Sequence, residues 1–173
     1  MTLTLDAVWS LAWKTQRATY TTRHHGLDHW VRVERNGLWL AERVEGVDTT
    51  VVRLFAALHD CQRMDDGYDR HHGPRAADFL LTLDLGLTPE QVARLETAVR
   101  THTDPTLRAD PTVQVCHDAD RLDLGRIFIT PEPRFLNTEP ARELAARKEI
   151  EELDRETERL GLTRPDDFRA TRG

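Results

Sequence analysis

The chain has 173 residues, 39% hydrophobic and 31% charged, with a formal net charge of -6 and a pI near 5.7. That length is one domain, able to bury roughly 70% of the surface its unfolded form exposes. The acidic balance argues against a dedicated nucleic-acid surface, which shows as a basic face, and no apolar run approaches the ~20 residues of a membrane span.

The helical period dominates, and little reads as strand. A first helix is predicted from about Leu5 to Thr19, with Val8, Leu11, Ala12 and Thr15 on one face. Gly26 precedes a second, in which His29, Val33, Gly37, Leu40 and Val44 share a stripe that Gly46 closes. Asp48 or a neighbouring residue starts a third, with Val52, Phe55, Ala56 and His59 on one side, and residues 61–71 form a loop. The fourth begins near Gly73-Pro74, with a stripe of His72, Ala76, Phe79 and Leu83. Thr88-Pro89-Glu90-Gln91 has the pattern of a capping box, and the helix after it aligns Val92, Leu95, Val99 and His102.

A further helix is expected from about Thr112 to Leu124, then an extended crossing over residues 125–138, which contain Pro131 and Pro133. Thr138 caps a last long helix, about 139–160, with Ile150, Leu153, Thr157 and Leu160 on one face. Residues Arg164 to Gly173 read as a loose polar tail. The expectation is an all-α, single-domain helical bundle over residues 1–173. Two cysteines without paired spacing, Cys61 and Cys116, give no disulfide framework. With no basic stretch ahead of an apolar N-terminal core, a cytoplasmic protein is expected, and an oligomer is possible.

The chemistry concentrates at stripe ends. His29, His59, Asp60 and Asp120 each end or interrupt an apolar stripe and so point inward, where an unpaired carboxylate is costly. Imidazoles and carboxylates are the N and O ligands of a divalent metal with open positions. Asp118 and Asp120 lie about 200° apart around a helix, so only one faces inward. Asp120 shares the stripe of Val113, Cys116 and Leu124, while Asp118 falls beside Gln114 and Arg121 as a surface or supporting residue. His25, four residues before His29, sits at the helix mouth, nearer substrate than metal. His24 and His71 read as solvent-facing, and His117 has no assigned role. Each histidine also has a plainer reading as a hydrogen-bonded core residue, and Asp120 as a partner of Arg121 or Arg126.

His29, then His59-Asp60, then Asp120 in Ala119-Asp120-Arg121-Leu122-Asp123, resembles the signature of the HD superfamily of metal-dependent phosphohydrolases. The likeness runs from about Arg23 to Leu124, with the helix about 139–160 packing on that core. It implies an HD-domain-type helical bundle and a divalent ion such as Mn, Mg, Ni, Co or Fe. It also implies hydrolysis of small phosphate esters, often nucleotides.

Two departures stand out. Three residues after the dyad's Asp, relatives often carry Glu or Lys, and here the residue is Arg63, which clamps phosphate but does not serve as a general acid. In two-metal members, two further histidines before the last Asp bind a second ion. His72 and His102 have that order, but the 12-residue step from Asp60 to His72 is short. The expectation is one tight ion, with His72 and His102 as substrate groups or weak second-metal ligands. Asp60 and Arg63 would be catalytic, and Arg23, His25 and Arg63 would hold substrate, with Asp65, Asp66 and Asp69 at the entrance. The alternatives are a di-iron oxygenase using His72 and His102, and a non-catalytic helical module holding a metal.

Overall fold

Thr4, Asp48, Thr88 and Asp110 each accept backbone N–H groups at a helix start, so four helix starts are written as local side-chain chemistry. The computed structural model describes residues 2–162 and contains, among them, helices and no strand. Helix α1 spans Leu5–Thr19, α2 Leu27–Ala41, α3 Thr49–Leu58, α4 His72–Leu80, α5 Pro89–Thr101, α6 Pro111–Arg121, α7 Glu139–Arg147 and α8 Glu156–Arg159. The expected bounds of α1 and the capping box at Thr88 are as read from the sequence. No helix is long and apolar enough to cross a membrane among the described residues. The expected tail, Arg164 to Gly173, lies outside them.

Helix α2 is the central element, packed against α3 on one side and α6 on the other. Gly37 makes this possible: a Cβ there would meet Val52 Cγ1 of α3 at 2.5 Å and Ala119 Cβ of α6 at 3.5 Å. Polar ties reinforce the sandwich. Asn36 Nδ2 donates to the Ala119 carbonyl at 3.0 Å, and Arg53 Nε donates to the buried Glu34 at 2.8 Å. Trp9 of α1 and Trp30 of α2 meet edge to face within the same apolar core as Phe55 and Leu58, a packing that excludes water from the ligand-bearing helix ends.

Five expectations are corrected. Helix α2 ends at Ala41, and Gly46, at φ +76°, closes the turn after it rather than the helix itself. Helix α6 stops at Arg121; Leu124–Ile127 continues as a 3₁₀ turn that ends on Phe128 in left-handed geometry. The crossing over 125–138 therefore is not simply extended, and Pro133–Phe135 adds a second 3₁₀ turn. The last long helix is broken at Lys148, φ 60°, where the Glu149 N–H returns to the Leu144 carbonyl. Beyond the break a 3₁₀ stretch, Ile150–Arg155, leads into α8, and Asp154 receives Arg35 NH1 of α2 at 2.5 Å. Thr138 begins α7 but does not cap it with its side chain.

Candidate metal centre

Five helix ends bring the predicted ligands together. His29 is in the first turn of α2, His59 follows α3, His72 opens α4, and His102 follows α5. Asp60 follows His59, and Asp120 comes from the last turn of α6. Gly73 allows α4 to lie on the end of α5: a Cβ would meet the Val99 carbonyl at 2.9 Å and the Arg100 carbonyl at 3.1 Å.

The tautomers follow from the partners. His29 Nδ1 lies 2.7 Å from Asp123 Oδ2, His59 Nδ1 3.1 Å from the Phe55 carbonyl and His102 Nδ1 2.7 Å from the Val99 carbonyl. His72 Nδ1 contacts the Asp69 carbonyl. Each partner only accepts, so all four Nδ1 atoms donate and all four Nε2 atoms turn lone pairs inward. His29 and His59 Nε2 are 3.0 Å apart, and His72 and His102 Nε2 are 2.7 Å apart.

Asp60 lies between the pairs. Its Oδ2 is 3.6 Å from His29 Nε2 and 3.7 Å from His59 Nε2; its Oδ1 is 3.0 Å from His72 Nε2 and 3.6 Å from His102 Nε2. Asp120 Oδ1 is 3.3 Å from His29 Nε2, buried, and accepts no hydrogen bond. Facing lone pairs, two carboxylates and an orphaned buried oxygen form a donor set that fits a cation. Two groupings within it, His29–His59–Asp120 and Asp60–His72–His102, have the span of a metal site.

Electrostatics agree with that fit. Burial drives His59 down to about 3, against the pull of Asp60 and Asp120, so its imidazole stays neutral. Burial pushes Asp60 and Asp120 up, but the neighbouring His59 opposes it at Asp60, and His29 and His59 oppose it at Asp120. Both carboxylates end well below their ordinary range. At His102 burial acts downward, and Asp60 and Asp120 outweigh it, giving a net rise.

Around this set, His25 Nδ1 donates to Asp60 Oδ2 at 3.0 Å, and the His25 carbonyl is held by Gln16 and Trp30. Arg63 is buried, with NH1 3.6 Å from Asp60 Oδ1. Arg126 NH2 lies 3.7 Å from Asp120 Oδ1. Asp60, Arg63, His25, His72, His102 and Asp120 all open onto one cavity of about 550 Å³, whose outer wall includes Tyr68, Pro105, Leu124, Ile127 and Phe135.

The structure does not bring Arg23 to that cavity: Arg23 is exposed and lines another, of about 490 Å³, together with His29 and Arg126. Asp118 is no surface residue. It is fully buried, and its carboxylate receives Asn137 N at 2.8 Å, Thr138 N at 2.7 Å and Thr138 Oγ1 at 2.8 Å. Asp66 receives the Thr22 hydroxyl and the Arg23 N–H, and Asp69 receives Met64 N and Arg75, so both brace loops. Asp65 turns back to Gly67 N. His24 and His71 are exposed, and His117 is buried with Nε2 on the Ala98 carbonyl. Sequence reasoning missed the role of Asp123; its position three residues after Asp120, on one helical face, was the available signal. Arg126 was read only as an ion-pair partner for Asp120.

A solved structure from an uncultured Thermotogales bacterium, described as a predicted HD superfamily hydrolase, is similar to this chain over 91% of each, with 25% identity and a TM-score of 0.64. By fold and by motif the chain resembles the HD superfamily. No family model matches the sequence, and no curated protein does. The His59-Asp60 dyad is the pivot, since among the described residues Asp60 alone lies against both imidazole pairs.

Proposed function

We propose that the protein is a metal-dependent hydrolase of small phosphate esters, with the divalent ion held by His29, His59, Asp60 and Asp120. The observation that carries this reading is the convergence of Nε2 lone pairs on two ionised carboxylates with no proton left to share between His29 and His59. The likeness to the HD fold supports it, and the similar Thermotogales protein is itself described as a predicted hydrolase. A divalent ion bound there supplies Lewis acidity and lowers the pKa of water toward ~7.

The chain's own groups do the rest. Asp60 stays ionised and is oriented by His25, so it accepts a hydrogen bond from the attacking water and aims it. With so low a proton affinity it orients better than it retains a proton. Arg63 and Arg126 place two guanidinium groups beside the carboxylates, where they attract a phosphoryl dianion. The apolar outer wall suits an organic group such as a nucleoside. These fixed cations favour an anionic substrate over the di-iron oxygenase alternative.

The test is hydrolysis of nucleoside monophosphates, sugar phosphates and p-nitrophenyl phosphate by protein loaded in turn with Mn, Mg, Ni, Co and Fe. Turnover that needs the metal and disappears in His59→Ala and Asp60→Ala supports the reading, with circular dichroism checking the fold. Metal-replete protein that hydrolyses none of these esters, but consumes oxygen with two irons per chain, overturns it.

A further inference from the structure

Arg63 is fastened from behind. Its Nε donates to the Asp65 carbonyl at 3.2 Å and its NH2 to the Gly67 carbonyl at 2.8 Å. The remaining nitrogen, NH1, faces the centre, 3.6 Å from Asp60 Oδ1 and 3.2 Å from His72 Nε2. Since His72 Nδ1 donates to Asp69, Nε2 is the ring atom able to accept from NH1. NH1 therefore addresses the same carboxylate oxygen and the same imidazole lone pair that an ion in the Asp60–His72–His102 half would require.

Resting on the metal-dependent reading above, we propose that Arg63 is the resident cation of the Asp60–His72–His102 half, so that the protein holds one divalent ion, on the His29–His59–Asp120 side. A guanidinium keeps its charge at any working pH, and this one is almost wholly buried, so solvent does little to screen it. Swinging it aside would break its two hydrogen bonds to the Asp65 and Gly67 carbonyls. The charges point the same way. Asp60 and Asp120 already face Arg63 and Arg126, so one dication and one phosphate dianion leave the centre balanced. A second dication would add two uncompensated positive charges in a buried pocket.

The experiment is Mn²⁺ titration of metal-stripped protein, with bound metal counted by elemental analysis and paired ions detected by electron paramagnetic resonance. Wild type and Arg63→Lys are expected to bind one ion, and Arg63→Gln, which removes the charge, to bind two with a spin-coupled signal. The His72→Ala, His102→Ala double variant is expected to keep one ion at unchanged affinity, and its count decides the matter if Arg63→Gln fails to fold. Two ions in wild type, folded Arg63→Gln that stays at one, or loss of the ion from the double histidine variant overturns the proposal. A wild type that binds no ion instead removes the metal-dependent reading itself, and this proposal with it.

Discussion

His29 gives its Nδ1 proton to Asp123 across 2.7 Å, and Asp123 turns its other oxygen to Arg32 Nε at the same distance. One carboxylate thus fixes both the ring orientation and the tautomer of His29, the first of the proposed ligands. Losing such an outer partner commonly weakens metal binding by about 10–100-fold. Asp123→Asn is expected to fall in that range in a Mn²⁺ titration, with helix content unchanged. Wild-type affinity in the variant would show that His29 needs no orienting partner.

An ion that satisfies lone pairs held 3.0 Å apart binds the folded chain alone, so it should raise stability by mass action. At 100 times the dissociation constant the gain is about 2.7 kcal/mol. Urea midpoints with Mn²⁺ and with chelator should differ accordingly in wild type and coincide in His59→Ala. Equal midpoints in wild type would count against a preformed centre.

Gly73→Ala tests the seat of α4 on α5. Alanine normally stabilises a helix relative to glycine by roughly 0.5–1 kcal/mol. Here its Cβ would press on two backbone carbonyls that cannot rotate away, at 2.9 and 3.1 Å. The expected outcome is a loss of about 1–3 kcal/mol, read as a lower melting temperature. A gain would mean the two helices separate at little cost.

His117 should make the fold acid-sensitive. Burial and then the Arg121 charge push it down to about 3. Unfolded, it titrates near its ordinary value, about 6.5, so below that pH the unfolded chain takes a proton that the folded chain refuses. Stability is therefore lost as pH falls from about 6.5 toward about 3, by up to ~1.4 kcal/mol per pH unit. His117→Gln keeps a donor for the Ala98 carbonyl and removes the titration. Its urea midpoint should fall less steeply than wild type below pH 6.5, and parallel profiles would contradict the assignment.

The helices and the inward histidines were legible because both are local signals. Apolar periodicity places His29, His59 and Asp120 on core faces, and Thr88-x-x-Gln91 is a cap in any context. What escaped was long-range or irregular. Asp118 sits on a side of α6 that reads as polar, and it is buried because Asn137 and Thr138, 19 and 20 residues on, bring their donors to it. The break at Lys148 has neither glycine nor proline to announce it. Arg126 reaches the centre through a 3₁₀ turn, whose spacing no 3.6-residue pattern predicts.

Helix α6 carries more than a ligand. Asp118 pins residues 137 and 138, and Arg121 donates to the Phe135 carbonyl at 2.7 Å and the Asp104 carbonyl at 2.6 Å, on either side of Asp120 in sequence. The wall proposed to meet the organic part of a substrate is therefore tied to the same two turns that aim the Asp120 carboxylate. Widening the pocket by shifting that wall would drag the ligand with it. Changes in substrate range are thus cheaper through side-chain size at Phe135 or Tyr68 than through movement of the main chain, and a broadened variant can be sought there without disturbing the ion.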